Sequence, residues 1–239
     1  KIVMTLPQVL SLSVDENMEP KLKYLADRLS LSPVELRKIV MTLPQVLNLS
    51  VDGNIEPKLK YLTDRLSLSP VELKRIVVSL PSVLGSSVHE NLEPKLEFLA
   101  NHLSLDSEQL KQFVLRSPSI FAANTNNMQR NLSYFQTRLK FTTEELLTLL
   151  SSQSNIMGCD TETNIEPTIQ FFDSLLCEEN GKDFIYRHPS VLGTSVKKRL
   201  IPRRDVMMAR GIPFDHKSVM KMCTFTNDQF DKWMNSVGV

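Results

Sequence analysis

The sequence predicts an all-α protein, a superhelical solenoid of repeats about 37 residues long, each with two α-helices and a short 3-10 or proline connector. Three observations predict it. Residues 2–38 and 39–75 are one 37-residue stretch written twice, with six differences: Ser11/Asn48, Glu16/Gly53, Met18/Ile55, Ala26/Thr63, Arg37/Lys74 and Lys38/Arg75. None of them alters the apolar spacing, and self-similarity at a fixed period marks a solenoid. Each stretch holds two apolar stripes of helical period separated by a capping signal. Strand-like alternation is hard to find, and only 7 of the 239 residues are glycine, as suits a chain mostly in helices.

The period is anchored on prolines. Pro7, Pro44, Pro81 and Pro118 lie 37 apart, and Ser154 and Pro189 continue the column at spacings of 36 and 35. A second proline follows 13 residues later, at Pro20, Pro57, Pro94, Pro167 and Pro202, with Arg130, 12 residues after Pro118, standing in that column in the fourth repeat. The first helix of a repeat is read from Met18, Leu22, Leu25 and Leu29, with Pro20 in its opening turn, where a missing N–H costs nothing. The second opens on Ser32-Pro33-Val34-Glu35, an N-cap serine, a proline at the first helical position and a glutamate three residues on. Ser69…Glu72, Asp106…Gln109 and Thr142…Glu145 keep that capping-box chemistry. Leu36, Ile39, Val40 and Leu43 form its buried face, and Pro44 stops it. Helix pairs with one stripe each bury them only by stacking on neighbours. The expected layout is one array over 1–239: a partial repeat 1–12, repeats at about 13–49, 50–86, 87–122, 123–158 and 159–193, and a C-terminal basic segment with a closing helix, 194–239.

Composition excludes several classes. No apolar run reaches the ~18–20 residues a membrane helix needs. Cys159, Cys177 and Cys223 lie far apart without ligand spacing, which reads as reduced thiols rather than a metal site. His89, His102, His188 and His216 read as isolated. There is no phosphate-cradling glycine loop, no nucleophile elbow and no ligand cluster, so neither an enzyme nor a cofactor is expected. Residue 1 is not Met and falls inside a repeat, so further chain, and any targeting segment, is expected upstream.

The pattern P-x-V-L…N-x-E-P-K-L-x-[YF]-L…L-S-x-x-E-L resembles the mitochondrial transcription termination factor (mTERF) family. It is carried by Pro44, Val46, Leu47, Asn54, Glu56, Pro57, Lys58, Leu59, Tyr61, Leu62, Leu68, Ser69, Glu72 and Leu73. Residues 195–204 (SVKKRLIPRR), Val206…Arg210-Gly211-Ile212 and 224–230 (TFTNDQF) are similar to that family's terminal segment. The resemblance implies an organellar, all-helical, nucleic-acid-binding protein, in mitochondrion or chloroplast. Double-stranded DNA and regulation or termination of transcription are favoured. RNA binding in intron splicing or ribosomal RNA maturation, and a protein-interaction scaffold, are the alternatives. A monomer is expected.

Net charge is only +1, but its distribution is uneven. Residues 182–239 hold eleven Lys/Arg against five Asp/Glu, and the rest of the chain is acidic. Lys197, Lys198, Arg199, Arg203, Arg204 and Arg210, facing Asp205 alone, are the strongest candidates for phosphate contact. Six such contacts predict a log–log salt slope of about −5. A solvated face is the other reading. Arg187, Arg116, Arg130, Arg138 and Lys111 complete the candidate set. On the first helices, Lys21/Tyr24/Arg28, Lys58/Tyr61/Arg65, Lys95/Phe98/His102 and Asn131/Tyr134/Arg138 recur at one register. They read either as a backbone track with stacking platforms or as aromatics wedged between repeats with wet charges beside them. Glu35 and Glu72 stand three residues before Lys38 and Arg75, so local ion pairs are expected there. Phe230 and Trp233 are expected to anchor the last helix.

Overall fold

The computed structural model describes residues 13–176 and 181–237; the partial repeat 1–12 with Pro7, and Cys177, lie outside the described residues. Among the described residues there are thirteen α-helices and no strand. The chain divides between Ala122 and Ala123 into two compact units. The first unit carries α1 (Glu19–Arg28), α2 (Pro33–Thr42), α3 (Glu56–Leu66), α4 (Pro70–Ser79), α5 (Glu93–His102) and α6 (Ser107–Arg116). The second carries α7 (Thr125–Thr137), α8 (Thr143–Ser152), α9 (Glu166–Leu175), α10 (Gly181–Arg187), α11 (Ile201–Ala209), α12 (His216–Thr224) and α13 (Asn227–Ser236).

The second helix of each of the first four pairs starts where its capping box says it should. Ser32, Ser69, Asp106 and Thr142 accept from the backbone N–H three residues on, while Glu35, Glu72, Gln109 and Glu145 reach back to the cap's own N–H. Each such cap is worth about 1 kcal/mol. Thr226 and Gln229 form a fifth box at the start of α13. The helices end on residues outside the helical region such as Leu43 and Leu80, and the proline behind each opens a 3-10 turn, Pro44–Asn48 and Pro81–Gly85.

The first helix of most repeats is preceded by a wide turn that the apolar spacing did not announce. Five-residue turns with i→i+5 bonding run over Val14–Met18, Val51–Ile55, Val88–Leu92, Thr161–Ile165 and Val196–Leu200. In each, one carbonyl accepts twice: Ser13 O takes Asn17 N at 3.2 Å and Met18 N at 3.1 Å. The column proline supplies the reason. Its ring clashes with the carbonyl four residues back, and a π-turn moves that carbonyl aside by carrying one residue more than an α-turn. Ser13 to Lys21, Ser50 to Lys58 and Ser87 to Lys95 are steps of eight, whereas Asn124 to Asn131 is a step of seven. In that repeat the proline is replaced by Arg130, and α7 runs unbroken from its Asn124 cap. Ring and extra residue are absent together.

Within the first unit α2 packs on α4, α4 on α6, and α3 against α6; within the second, α7 packs on α8 and α9 on α10. Leu25, Ile39, Leu59, Leu62, Ile76, Leu84, Leu96 and Leu99 are fully buried in the first unit, and Phe135, Leu146, Phe172 and Phe184 in the second. Each such side chain contributes about 1.5–3 kcal/mol.

Candidate nucleic-acid interface

Most cations of the repeats are structural. Lys21, Lys58 and Lys95 are buried, and each ammonium reaches forward into the next 3-10 turn. Lys21 Nζ donates to Leu47 O, Lys58 Nζ to Leu84 O at 2.7 Å and Lys95 Nζ to Phe121 O at 2.7 Å. Burial lowers all three lysine pKa values. Asn131 serves the same register in the fourth repeat, its Nδ2 donating to Ile156 O and Cys159 O, both at 2.9 Å. Arg28 and Tyr24 both donate to Glu56 of the next repeat, and Arg65 and Tyr61 both donate to Glu93. The phosphate-track reading of the first helices is therefore corrected: those lysines, tyrosines and arginines clamp one repeat to the next.

The second helices are tied the other way. Lys74 Nζ reaches back to Glu35 at 2.9 Å and to Ser30 O at 2.8 Å, and Lys111 Nζ to Glu72 at 3.0 Å and Ser67 O at 3.1 Å. Ser30, Ser67 and Lys140 hold positive φ, 48° to 56°, just past their helices. Their carbonyls accept from Lys74, Lys111 and Lys182, which offsets part of a left-handed strain of about 1–2 kcal/mol. The expected Glu35–Lys38 and Glu72–Arg75 pairs are thus corrected to pairs across repeats, and Lys38 and Arg75 are exposed. Lys111 leaves the candidate set for the same reason.

The C-terminal patch separates into two kinds of residue. Arg203 is 5% exposed. Its Nη1 donates to Met222 O at 2.8 Å and Phe225 O at 2.7 Å, its Nη2 donates to Asn227 Oδ1 at 2.8 Å, and its guanidinium lies 4.6 Å from the Phe230 ring centre. Desolvation, then repulsion from Arg199, lowers its pKa. Arg203 stands in the column of Lys21, Lys58 and Lys95 and does their work with a longer reach. The phosphate expectation for it is corrected: it braces the closing helices. Arg210 Nη1 donates to Met234 O, and Arg204 is paired with Asp205 at 2.7 Å. Phe230 is buried and Trp233 meets Phe225 and Phe230 edge-on.

Lys197 and Lys198 are exposed and Arg199 half-buried on the last π-turn, and among the described residues none of the three has an ion pair. They rim two recesses. One, of about 580 Å³, is lined by Glu162, Asn164, Pro167, Thr168, Lys197 and Lys198. The other, of about 640 Å³, holds Lys198, Arg199, Arg203, Asn227 and Asp231 in its wall. Earlier repeats put Asp15-Glu16, Asp52, Glu90 and Glu162 on the same turn.

A model of the mTERF family matches residues 1–105 and again 100–197. The chain belongs to the mTERF family. Among curated proteins none matches it. The family is a helical-repeat solenoid family of nucleic-acid-binding, organellar gene-expression factors, generally without catalytic activity. Among the described residues of this mTERF chain, no helix is long and apolar enough to cross a membrane.

The remaining candidates are scattered over the mTERF repeats. Arg116 is exposed at the end of α6 in the first unit, and Arg138 is exposed just past α7 in the second. Arg130 is exposed and 3.7 Å from Asp160. Arg187 is exposed at the end of α10. The histidines are not all isolated: His188 and His216 lie 4.8 Å apart, beside Phe184. One residue of the first recess escaped the sequence reading. Asn164 repeats the asparagine of N-x-E-P, yet Thr168 replaces the lysine four residues on that occupies Asn17 and Asn91. Comparing those two columns would have found it.

Proposed function

We propose that the chain binds double-stranded DNA through Lys197, Lys198 and Arg199, with Arg204 at the edge of the patch, and so regulates or terminates transcription in a mitochondrion or chloroplast, acting as a monomer. One observation carries this reading. The last π-turn puts two lysines where the earlier repeats put acids, at the opening of a helix. Cations there oppose the helix dipole and cost about 0.3–1 kcal/mol each, whereas an anion at that place gains from both the dipole and the ammonium groups. A solvated face gives no reason to accept that cost; a phosphate does.

The test restores the repeat's own acids. Lys197→Asp with Lys198→Glu removes the repulsion with the dipole, so the double variant is expected to melt slightly higher while its affinity for a labelled duplex falls at least tenfold at low salt. Gel shifts of the parent protein on duplex DNA, single-stranded DNA and RNA run alongside. A clear preference for RNA would overturn the duplex assignment, and unchanged duplex affinity in the double variant would remove the patch from the interface.

A further inference from the structure

In repeats 1 and 3 the asparagine of the π-turn is occupied. Asn17 Oδ1 accepts from Lys21 Nζ at 3.1 Å and Asn91 Oδ1 from Lys95 Nζ at 3.0 Å, and the same ammonium continues to the 3-10 carbonyl of the following repeat. Repeat 5 keeps the asparagine and changes its partner. Thr168 stands in the lysine column, fully buried, and its hydroxyl donates to the Asn164 main-chain carbonyl at 2.7 Å. Its side chain is too short to do what Lys21 and Lys95 do. Among the described residues Asn164 Oδ1, which is buried, has no hydrogen-bond partner, against the rule that buried acceptors are paired.

The corresponding groove of repeat 1, lined by Glu16, Asn17, Lys21 and Val51, has its lysine in place, an acid on its own turn and Asp52 on the next. The groove of repeat 5 keeps an acid, Glu162, on its own turn, but has an uncommitted carboxamide in its wall and two exposed lysines, Lys197 and Lys198, on the next turn at its rim. A ligand that suits it must carry an anion for the ammonium groups and, close by, a flat edge that both donates and accepts. A simple anion lacks the edge; an acidic peptide has amide edges beside its carboxylates, but the family to which the chain belongs binds nucleic acid. A nucleotide has both parts.

We infer that Asn164 is a base-reading residue: its carboxamide pairs with the amino and N7 edge of an adenine while Lys197 and Lys198 hold the neighbouring phosphate. With the carboxamide turned out of the wall towards the recess, the adenine N6–H donates to Oδ1 and Nδ2 donates to N7, the two-bond match that asparagine characteristically makes to adenine. The inference rests on the nucleic-acid reading above and adds to it a residue and a base. Lysines on the rim position the strand without reading it; the carboxamide supplies the choice.

The experiment is in vitro selection from random-sequence duplex DNA and random-sequence RNA with the full chain, comparing the parent protein with Asn164→Asp and Asn164→Leu. The parent is expected to enrich one adenine position, with roughly a five- to hundredfold preference there. Asn164→Asp, nearly the same shape but only an acceptor, is expected to move that position towards cytosine, whose amino group a carboxylate accepts. Asn164→Leu is expected to lose the preference at that position while keeping most of the total affinity. Thermal melts check that both variants fold, and if the leucine variant does not, the aspartate variant decides. Identical enriched motifs from the parent and the aspartate variant overturn the inference and leave the proposed function standing. Retention of neither pool by the parent overturns the nucleic-acid reading, and this inference with it.

Discussion

Lys58 joins two repeats with one side chain, and its ammonium is out of water to do so. Replacing it with methionine keeps the packing of the stem but leaves the Leu84 carbonyl without its donor. An orphaned buried acceptor costs about 1–3 kcal/mol, partly offset because the charge no longer has to be desolvated. Urea denaturation of Lys58→Met is expected to show a loss of about 1 kcal/mol with an unchanged m-value. Arg203 holds three acceptors at once, so Arg203→Ala is expected to cost more, about 2–4 kcal/mol, and to loosen α12 and α13 first. Hydrogen exchange on those helices reads that out. Charge in the sequence made Arg203 look like its neighbours Lys197 and Lys198. What separates them is register: Arg203 falls in the buried column and the lysines in the exposed turn, which becomes legible only when the repeats are laid over one another. The capping boxes were legible directly, since cap and partner lie three residues apart. Glu35 was half legible, its cap role being local and its ion pair with Lys74 reaching into the next repeat.

At the scale of the element, the π-turn, the column proline and the extra residue form one device. Arg130→Pro introduces the ring into α7 without the extra residue, and is expected to cost about 3 kcal/mol, the price of a proline inside a continuous helix. Inserting one residue between Asn124 and Arg130 together with the proline is expected to recover much of that loss, and circular dichroism melts of the two variants compare them. The clamps between repeats give a second expectation, on pH. The Lys74 ammonium, with the Ser32 backbone and hydroxyl, lowers the Glu35 carboxyl to about 2, below the ~4.3 of an unfolded chain. Its contribution is present in full above that unfolded value and is lost as pH falls towards 2. The stability of the parent protein is expected to drop more steeply between pH 4.5 and 2 than that of Glu35→Gln, which urea titrations at stepped pH would measure. Tyr24 works in the opposite sense. Burial, then the hydrogen bond to Glu56, pushes its hydroxyl up to about 12, so its contribution is whole below pH ~10 and fades on the way to 12.

For the whole molecule, the array of helix pairs was readable from its period because the same apolar spacing returns with each repeat. The wide turns were not, since apolar periodicity does not register one added residue ahead of a proline. The electrostatic reading changes in size. Counting six phosphate contacts gave a slope near −5, but with Arg203 and Arg210 committed to main-chain carbonyls, Lys197, Lys198, Arg199 and Arg204 remain. Four contacts give a log–log slope of duplex affinity against salt of about −3.6. Fluorescence anisotropy from low to physiological salt measures it, and the Lys197→Asp, Lys198→Glu variant is expected to fall to about −2.

The bonds between repeats keep fixed offsets: Lys21, Lys58 and Lys95 each reach 26 residues ahead, and Lys74 and Lys111 each reach 44 residues behind. Such a rule is indifferent to how often it is applied. A gene that slips at its two near-identical blocks would yield a protein one block longer or shorter, with every donor at the new seam still finding its acceptor. Length can therefore drift between generations of this gene without a broken joint, while the cationic turn Val196–Leu200, which lies outside both blocks, stays as it is.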